Sequence, residues 1–226
     1  MSLGDLERRL GEPDKARELY ERALKLYEKE QAGLGEANTL QSLGNLESRL
    51  GELDKARELY ERALKLYEKE QDRLGEANTL QSLGDLELQL GEPDKARELY
   101  ERALKLFEKV QDELGEANTL KSLGDLERRL GEPDKARSLY ERALKLYEKE
   151  QEPMGAAYTC AELARCHHAK RRSAQQDKAL RSGFRHAERA NVDSVVAYVV
   201  SALVEVCGSQ DAALAWLAEN GLGAEP

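Results

Sequence analysis

Residues 3–42 read LGDLERRLGEPDKARELYERALKLYEKEQAGLGEANTLQS, and nearly the same string returns from Leu43, from Leu83 and from Leu123. The period is 40 residues, and the first two copies differ at five positions. A unit of this size cannot close a hydrophobic core by itself, so it must stack on its neighbours, and an array of such units is a solenoid. The 226 residues therefore count repeats rather than domains.

Each unit holds two helical stretches. In the second copy Leu40, Leu43, Leu46 and Leu50 stand three or four residues apart, which makes one apolar stripe on a helix over Glu36–Leu50, ended by Gly51. Pro13, Pro93 and Pro133 sit where the second helix begins, since proline in the first turn loses no hydrogen bond and presets φ; the second copy has Leu53 there. That helix runs from Asp54 to about Gln71 and carries Ala56, Leu59, Tyr60, Ala63, Leu64, Leu66 and Tyr67, an apolar face wide enough for two partners, with Gly75 expected to break it. On the exposed side Glu21 and Lys25, Glu61 and Lys65, and Glu101 and Lys105 stand four apart in the order that favours ion pairing.

The spacing Leu40, Leu43-Gly44, Gly51, Ala56, Tyr60 and Ala63 resembles the tetratricopeptide repeat family, in its 40-residue form seen in kinesin light chains, Pins-type adaptors and bacterial regulatory proteins. The resemblance implies an all-α fold, a right-handed superhelical solenoid of antiparallel helix pairs with a degenerate helical cap at its C-terminal end. Gly44 would let two helices approach while Tyr60 fills the space between them. Where the family has a tyrosine in the first helix this chain has Glu47, and Leu46 beside it is expected to take over the packing. Residues 1–162 divide into four near-identical units, the first truncated at its N-terminus, and residues 163–226 into a degenerate fifth repeat and capping helices. A truncated first unit means either that the chain is cut from a longer array or that its first outer helix meets another molecule, which makes a homo-oligomer through the array ends one expected assembly.

In the family the first helices line the concave surface. The residues facing away from the leucine stripe are Asn38, Gln41, Asn45 and Arg49 in the second copy, Asn78, Gln81 and Asp85 in the third, and Asn118, Lys121, Asp125 and Arg129 in the fourth. Asn38, Asn78 and Asn118 form a ladder whose amides can both donate to and accept from the backbone of an extended peptide. The alternative is that they are solvated or capping residues copied with the repeat. The family's carboxylate clamp is poorly matched, because Asp5, Asp85 and Asp125 stand where asparagines are required and only Asn45 fits. The expected function is a non-catalytic scaffold that binds a peptide segment of a partner protein; the other reading is a structural or self-assembling spacer with no groove ligand.

Composition sharpens the exclusions. The net charge is −9, but residues 1–162 carry −10, residues 163–190 carry +6 and residues 191–226 carry −5. An acidic array is a poor partner for nucleic acid, whose phosphates are held by clustered Lys and Arg. The basic segment, with Arg165, Lys170, Arg171, Arg172, Arg181 and Arg185, is a solvated cap face, a docking patch for an acidic partner, or a contact for RNA or anionic lipid. The longest apolar run, residues 195–207, is too short for a spanning helix and holds Glu205, and the N-terminus has no apolar signal segment, so a cytoplasmic location and no membrane partner are expected. Cys160, Cys166, His167 and His168 lack a second ligand pair at zinc spacing and read as structural residues. No nucleotide, zinc-protease or nucleophile-elbow motif occurs, and the carboxylates repeat with the unit rather than forming one asymmetric pair. No enzyme activity, no metal and no cofactor are expected.

Overall fold

The computed structural model describes residues 12–169 and 173–222, and the chain divides into two compact units, residues 1–112 and 113–226. Among the described residues the first unit holds α1 (Pro13–Glu30), α2 (Gly33–Arg49), α3 (Leu53–Glu70), α4 (Arg73–Gln89) and α5 (Pro93–Val110). The second holds α6 (Glu113–Arg129), α7 (Pro133–Lys149), α8 (Pro153–Ala169), α9 (Ser173–Ala190), α10 (Asp193–Cys207) and α11 (Gln210–Glu219). The described residues form helices and the turns between them, with no strand.

Within each unit the closest packing is in the pairs α2–α3, α4–α5, α6–α7 and α8–α9, each of two helices joined by three residues. Pro13, Pro93 and Pro133 open α1, α5 and α7 as expected. Gly51 follows α2 in the left-handed conformation, with φ +83°.

The other joint differs from the sequence reading. The first-type helix starts at Gly33 rather than Glu36, and Gly75 lies inside α4 instead of breaking α3. The residue that turns the chain is Gln71, at φ 58°, with Gln31, Gln111 and Gln151 repeating it. Asp72 then caps α4 by accepting a hydrogen bond from the Gly75 amide at 3.0 Å. Gly75 is a packing residue: a Cβ there would stand 2.3 Å from Tyr67 Cε1.

Two aromatic rings, Tyr60 and Tyr67 in the second repeat, wedge the helices together. Tyr60 packs with Ala56, Leu83 and Leu86, while its ring edge lies where a Cβ on Gly44 would fall, 2.7 Å from Cε1. Tyr60 thus fills the gap between the first helices of two successive repeats, α2 and α4. Tyr67 packs with Ala37, Leu40 and Ala63 and meets Gly75 of the next repeat. Rings of this size bury a large apolar area in a repeat otherwise built from alanine and leucine.

The second unit ends on a different core. Residue 162 lies within α8, and α8–α9 is a helix pair of the repeat type. The apolar α10 packs on both, burying Val195, Val199, Ala202, Leu203 and Val206. Gly208 turns the chain, Ser209 caps α11, and Trp216 sits 6.2 Å from Phe184 while donating its indole N–H to Asp177 at 3.2 Å. Among the described residues no single helix is long and apolar enough to cross a membrane.

Candidate functional site

The first-type helices present one polar row each. In the first unit α2 also touches α4 directly, whereas no comparable contact joins α3 to α5, so the first helices lie on the more closely spaced side of the stack. Asn38 and Asn78 are exposed on this row, and Gln41, Asn45 and Gln81 are half-buried. Asn45, Ser48, Arg49, Ser82, Asp85 and Gln89 border a cavity of about 250 Å³ floored by Tyr60.

The buried tyrosines reach this row with their hydroxyls, a feature the sequence reading missed. Tyr67 donates to Asn38 Oδ1 at 2.7 Å and lies 3.1 Å from Gln41 Oε1. Tyr60 donates to Asn45 Oδ1 at 2.7 Å, and Tyr100 to Asp85 Oδ1 at 2.6 Å. In the second unit Tyr147 donates to Asn118 Oδ1 at 2.7 Å and Tyr140 to Asp125 Oδ1 at 2.6 Å. Burial, and then the nearby Asp85, pushes the Tyr60 hydroxyl up to about 12, and burial followed by Asp72 pushes Tyr67 up to about 12. Burial raises Tyr140 and Tyr147 as well. The hydroxyls therefore remain donors at neutral pH. Because each takes the amide oxygen of its asparagine, the N–H groups of Asn38 and Asn118 are left to donate to another acceptor.

Asn78 is the exception. Its counterpart 29 residues on is Phe107, which has no hydroxyl to donate. Lys121 also departs from the expected role, since it pairs with Asp125 at 2.9 Å and its charge is neutralised along its own helix. Arg49 and Arg129 are exposed at the ends of their helices.

Glu47 and Glu87 are the second missed feature. Both are buried, and each is gripped by an arginine 30 residues earlier: Arg17 Nε to Glu47 at 2.6 Å, and Arg57 Nε to Glu87 at 2.8 Å, each with a second, longer bond from the same guanidinium. A buried carboxylate needs such a partner. The signal in the sequence was the recurrence of Arg17 and Arg57 opposite each glutamate that replaces an aromatic residue. At the same register Arg137 faces His167, where burial and then the Arg137 charge lower the imidazole's proton affinity.

The sequence profile of the tetratricopeptide repeat matches residues 1–69, 36–109 and 75–149. The chain belongs to the tetratricopeptide repeat family. Proteins of this family are in general non-catalytic scaffolds for protein–protein interaction. A comparison with curated protein sequences gives no match. Among solved tetratricopeptide-type structures, BtubC (BKLC) from P. vanneervenii matches with a TM-score of 0.75 at 25% identity, over 84% of this chain and 78% of that one. A putative kinesin light chain of Podosopora anserina with nearly identical TPR-like repeats matches with a TM-score of 0.67 at 17% identity, over 84% and 93% of the two chains. A Rap protein complexed with competence and sporulation factor matches with a TM-score of 0.78 at 15% identity, over 97% of this chain and 63% of that one.

Two tetratricopeptide features change at the basic segment. Glu162, which is 1% exposed, and Arg165 occupy the positions of Ser122 and Asp125 one repeat earlier. Arg165 binds Glu162 at 2.6 Å and Glu205 at 2.7 Å and lies 5.1 Å over the Tyr198 ring, while Arg128 stands 2.7 Å from Glu162 and Tyr198 donates to it. Arg165 is thus an internal tie between α8 and α10 and not part of a docking patch. Arg181 and Arg185 are exposed on α9, and Lys170, Arg171 and Arg172 lie outside the described residues. Cys160 and Cys166 are free and buried, and burial pushes their thiols up to about 12 and about 11, which leaves them unreactive at neutral pH. Among the described residues no group of three His, Cys, Asp or Glu side chains could hold a metal ion.

Proposed function

We propose that this protein is a cytoplasmic adaptor that binds an extended peptide segment of a partner protein on the polar row of its first-type helices. The observation that carries this reading is the fixing of the asparagine amides: Tyr67 and Tyr147 hold the oxygens of the exposed Asn38 and Asn118, which leaves their N–H groups as donors for backbone carbonyls. Donors fixed before binding lose little conformational entropy when a peptide arrives. The family's general role as a protein-binding scaffold agrees with it, and a Rap protein of the same fold has been crystallised with competence and sporulation factor.

Asn78→Ala is the cleanest test, because Asn78 has no tyrosine hydroxyl to orphan. Partners captured from the source cell by the parent protein are compared with those captured by Asn78→Ala and by the triple Asn38→Ala, Asn78→Ala, Asn118→Ala variant, with helicity checked by circular dichroism. Loss of about 1 kcal/mol per removed hydrogen bond is expected, so the single variant weakens capture about fivefold and the triple abolishes it. Capture unchanged in the triple variant overturns the proposal.

A further inference from the structure

In the first unit an arginine near the start of each second-type helix grips a glutamate 30 residues on through Nε and a second nitrogen, Arg17 with Glu47 and Arg57 with Glu87. In the second unit Arg137 holds that place on α7, but residue 167 on α8 is histidine. Arg137 Nε and His167 Nδ1 are both buried and have no hydrogen-bond partner among the described residues. His167 is 8% exposed, and a buried polar atom left unpaired is destabilising. Glu141 at 3.7 Å and Asp134 at 3.8 Å flank the guanidinium from its own helix, too far to accept a hydrogen bond.

The surroundings of Arg137 differ from those of Arg17 in the same sense. Helix α9 lies beside α7 as α3 lies beside α1, since His186 reaches Glu148 at 3.4 Å and Arg62 reaches Glu28 at 3.2 Å. The register is kept as well: Gly183 meets Ala157 and Cys160 where, 120 residues earlier, Ala63 packs on Ala37 and Leu40. Arg17 borders a groove of about 280 Å³ whose charged residues are Arg17, Glu21, Glu47, Lys55, Glu58 and Arg62, three cations against three carboxylates. Their counterparts in the second unit are Arg137, Glu141, His167, Gln175, Lys178 and Ser182, two cations against one carboxylate. Leu59 and Arg62 are replaced by Ala179 and Ser182, so the α9 side chains beside Arg137 are shorter, and the Arg137 side chain is 28% exposed. Asp134 and Glu141 do not bar an anion, because Arg17 has the same flank in Asp14 and Glu21 and still holds Glu47.

We propose that Arg137 and His167 form a binding site for a carboxylate from outside the chain, carried by an acidic side chain of a partner protein or by a small organic acid. The carboxylate enters past Ala179 and Ser182. A turn of the part-exposed Arg137 side chain brings Nε and one terminal nitrogen to it, the two-point grip that Arg17 and Arg57 make on glutamate. The neutral His167 ring donates to the same group from Nδ1. The site shares no residue with the asparagine row, so either can fail while the other stands.

The test titrates the labelled full chain at about pH 7.5 and constant ionic strength, replacing chloride by acetate or by an Ala-Glu-Ala tripeptide blocked at both ends. The His167 Nδ1 resonance shifts saturably, and the thermal midpoint rises by about 3–6 °C at about ten times the dissociation constant. A tripeptide that binds about tenfold tighter than acetate assigns the carboxylate to a partner protein, and equal affinities assign it to a small acid. Arg137→Gln removes the response. His167→Glu supplies the carboxylate within the chain, as Glu47 and Glu87 do, so this variant unfolds at a higher midpoint than the parent and no longer responds. A parent chain that responds to neither carboxylate more than to chloride overturns the proposal. An Arg137→Gln or His167→Glu variant that responds like the parent also overturns it.

Discussion

Gly84→Ala reverses the usual sign of a glycine substitution in a helix. In an exposed helix interior the change stabilises by about 1 kcal/mol. Here the added Cβ falls 2.6 Å from Cε1 and 2.7 Å from Cδ1 of Tyr100, a ring that is 0% exposed. The ring is further held by its hydroxyl bond to Asp85 at 2.6 Å, so it moves only by giving up that bond. Overpacking costs about 1–3 kcal/mol, and a hydrogen bond to a charged group contributes about 1.5–3 kcal/mol. With both costs incurred and the helix-propensity gain subtracted, a net destabilisation of about 1.5–5 kcal/mol remains. Urea titration followed by far-ultraviolet circular dichroism reads it as a lower midpoint at unchanged slope. Tyr100→Leu in the same background removes the obstructing ring, so the double variant is more stable than the sum of the two single changes by about 1–2 kcal/mol. A Gly84→Ala protein as stable as the parent, or a cycle with no coupling, refutes the claim that this glycine exists to admit the tyrosine.

Two further outcomes follow from the tyrosine row and the ion-pair register. Tyr67→Phe loses the bonds to Asn38 and Gln41 and destabilises by about 1 kcal/mol, whereas Phe107→Tyr supplies the missing donor to Asn78 and stabilises by up to about 1 kcal/mol; equal signs in urea denaturation would contradict the pairing. His167 has a folded proton affinity lowered by burial and by Arg137, so the unfolded chain takes up its proton first. Its contribution is then fully present above the ordinary value of 6.5 and is lost as pH falls below it. His167→Gln should flatten the stability profile between about pH 7 and pH 5 when unfolding is followed across that range.

Much of the fold was legible because the repeat writes it four times. Pro13 and Gly51 mark a helix start and a helix end by their own backbone chemistry, and both occupy the expected places. The joint after α3 was not legible, since glutamine carries no turn signal and Gln71 holds a left-handed conformation that ordinarily calls for glycine or asparagine. Gly75 then misled, because a glycine needed for close approach looks in sequence like one needed for a turn. The polar row was found from periodicity alone, but periodicity does not say which groups beneath it have hydroxyls. Nor could spacing on one helix reveal Arg57 and Glu87, which meet across two helices 30 residues apart.

The ties made by Arg165 bear on how the chain finds its register while folding. Copies as alike as residues 3–42 and 43–82 can pair in the wrong order with almost the same side-chain contacts, so local packing alone discriminates weakly between the correct stack and one slipped by a repeat. Glu162 and Arg165 occur at their positions in no other copy, and they meet Glu205 and Tyr198 of α10 and, through Glu162, Arg128 of α6. A stack slipped by one repeat would set Leu88 in the place of Arg128 and leave the buried Glu162 with one cation fewer, which low dielectric penalises. The irregular end is therefore a fiducial mark against which otherwise interchangeable repeats are counted.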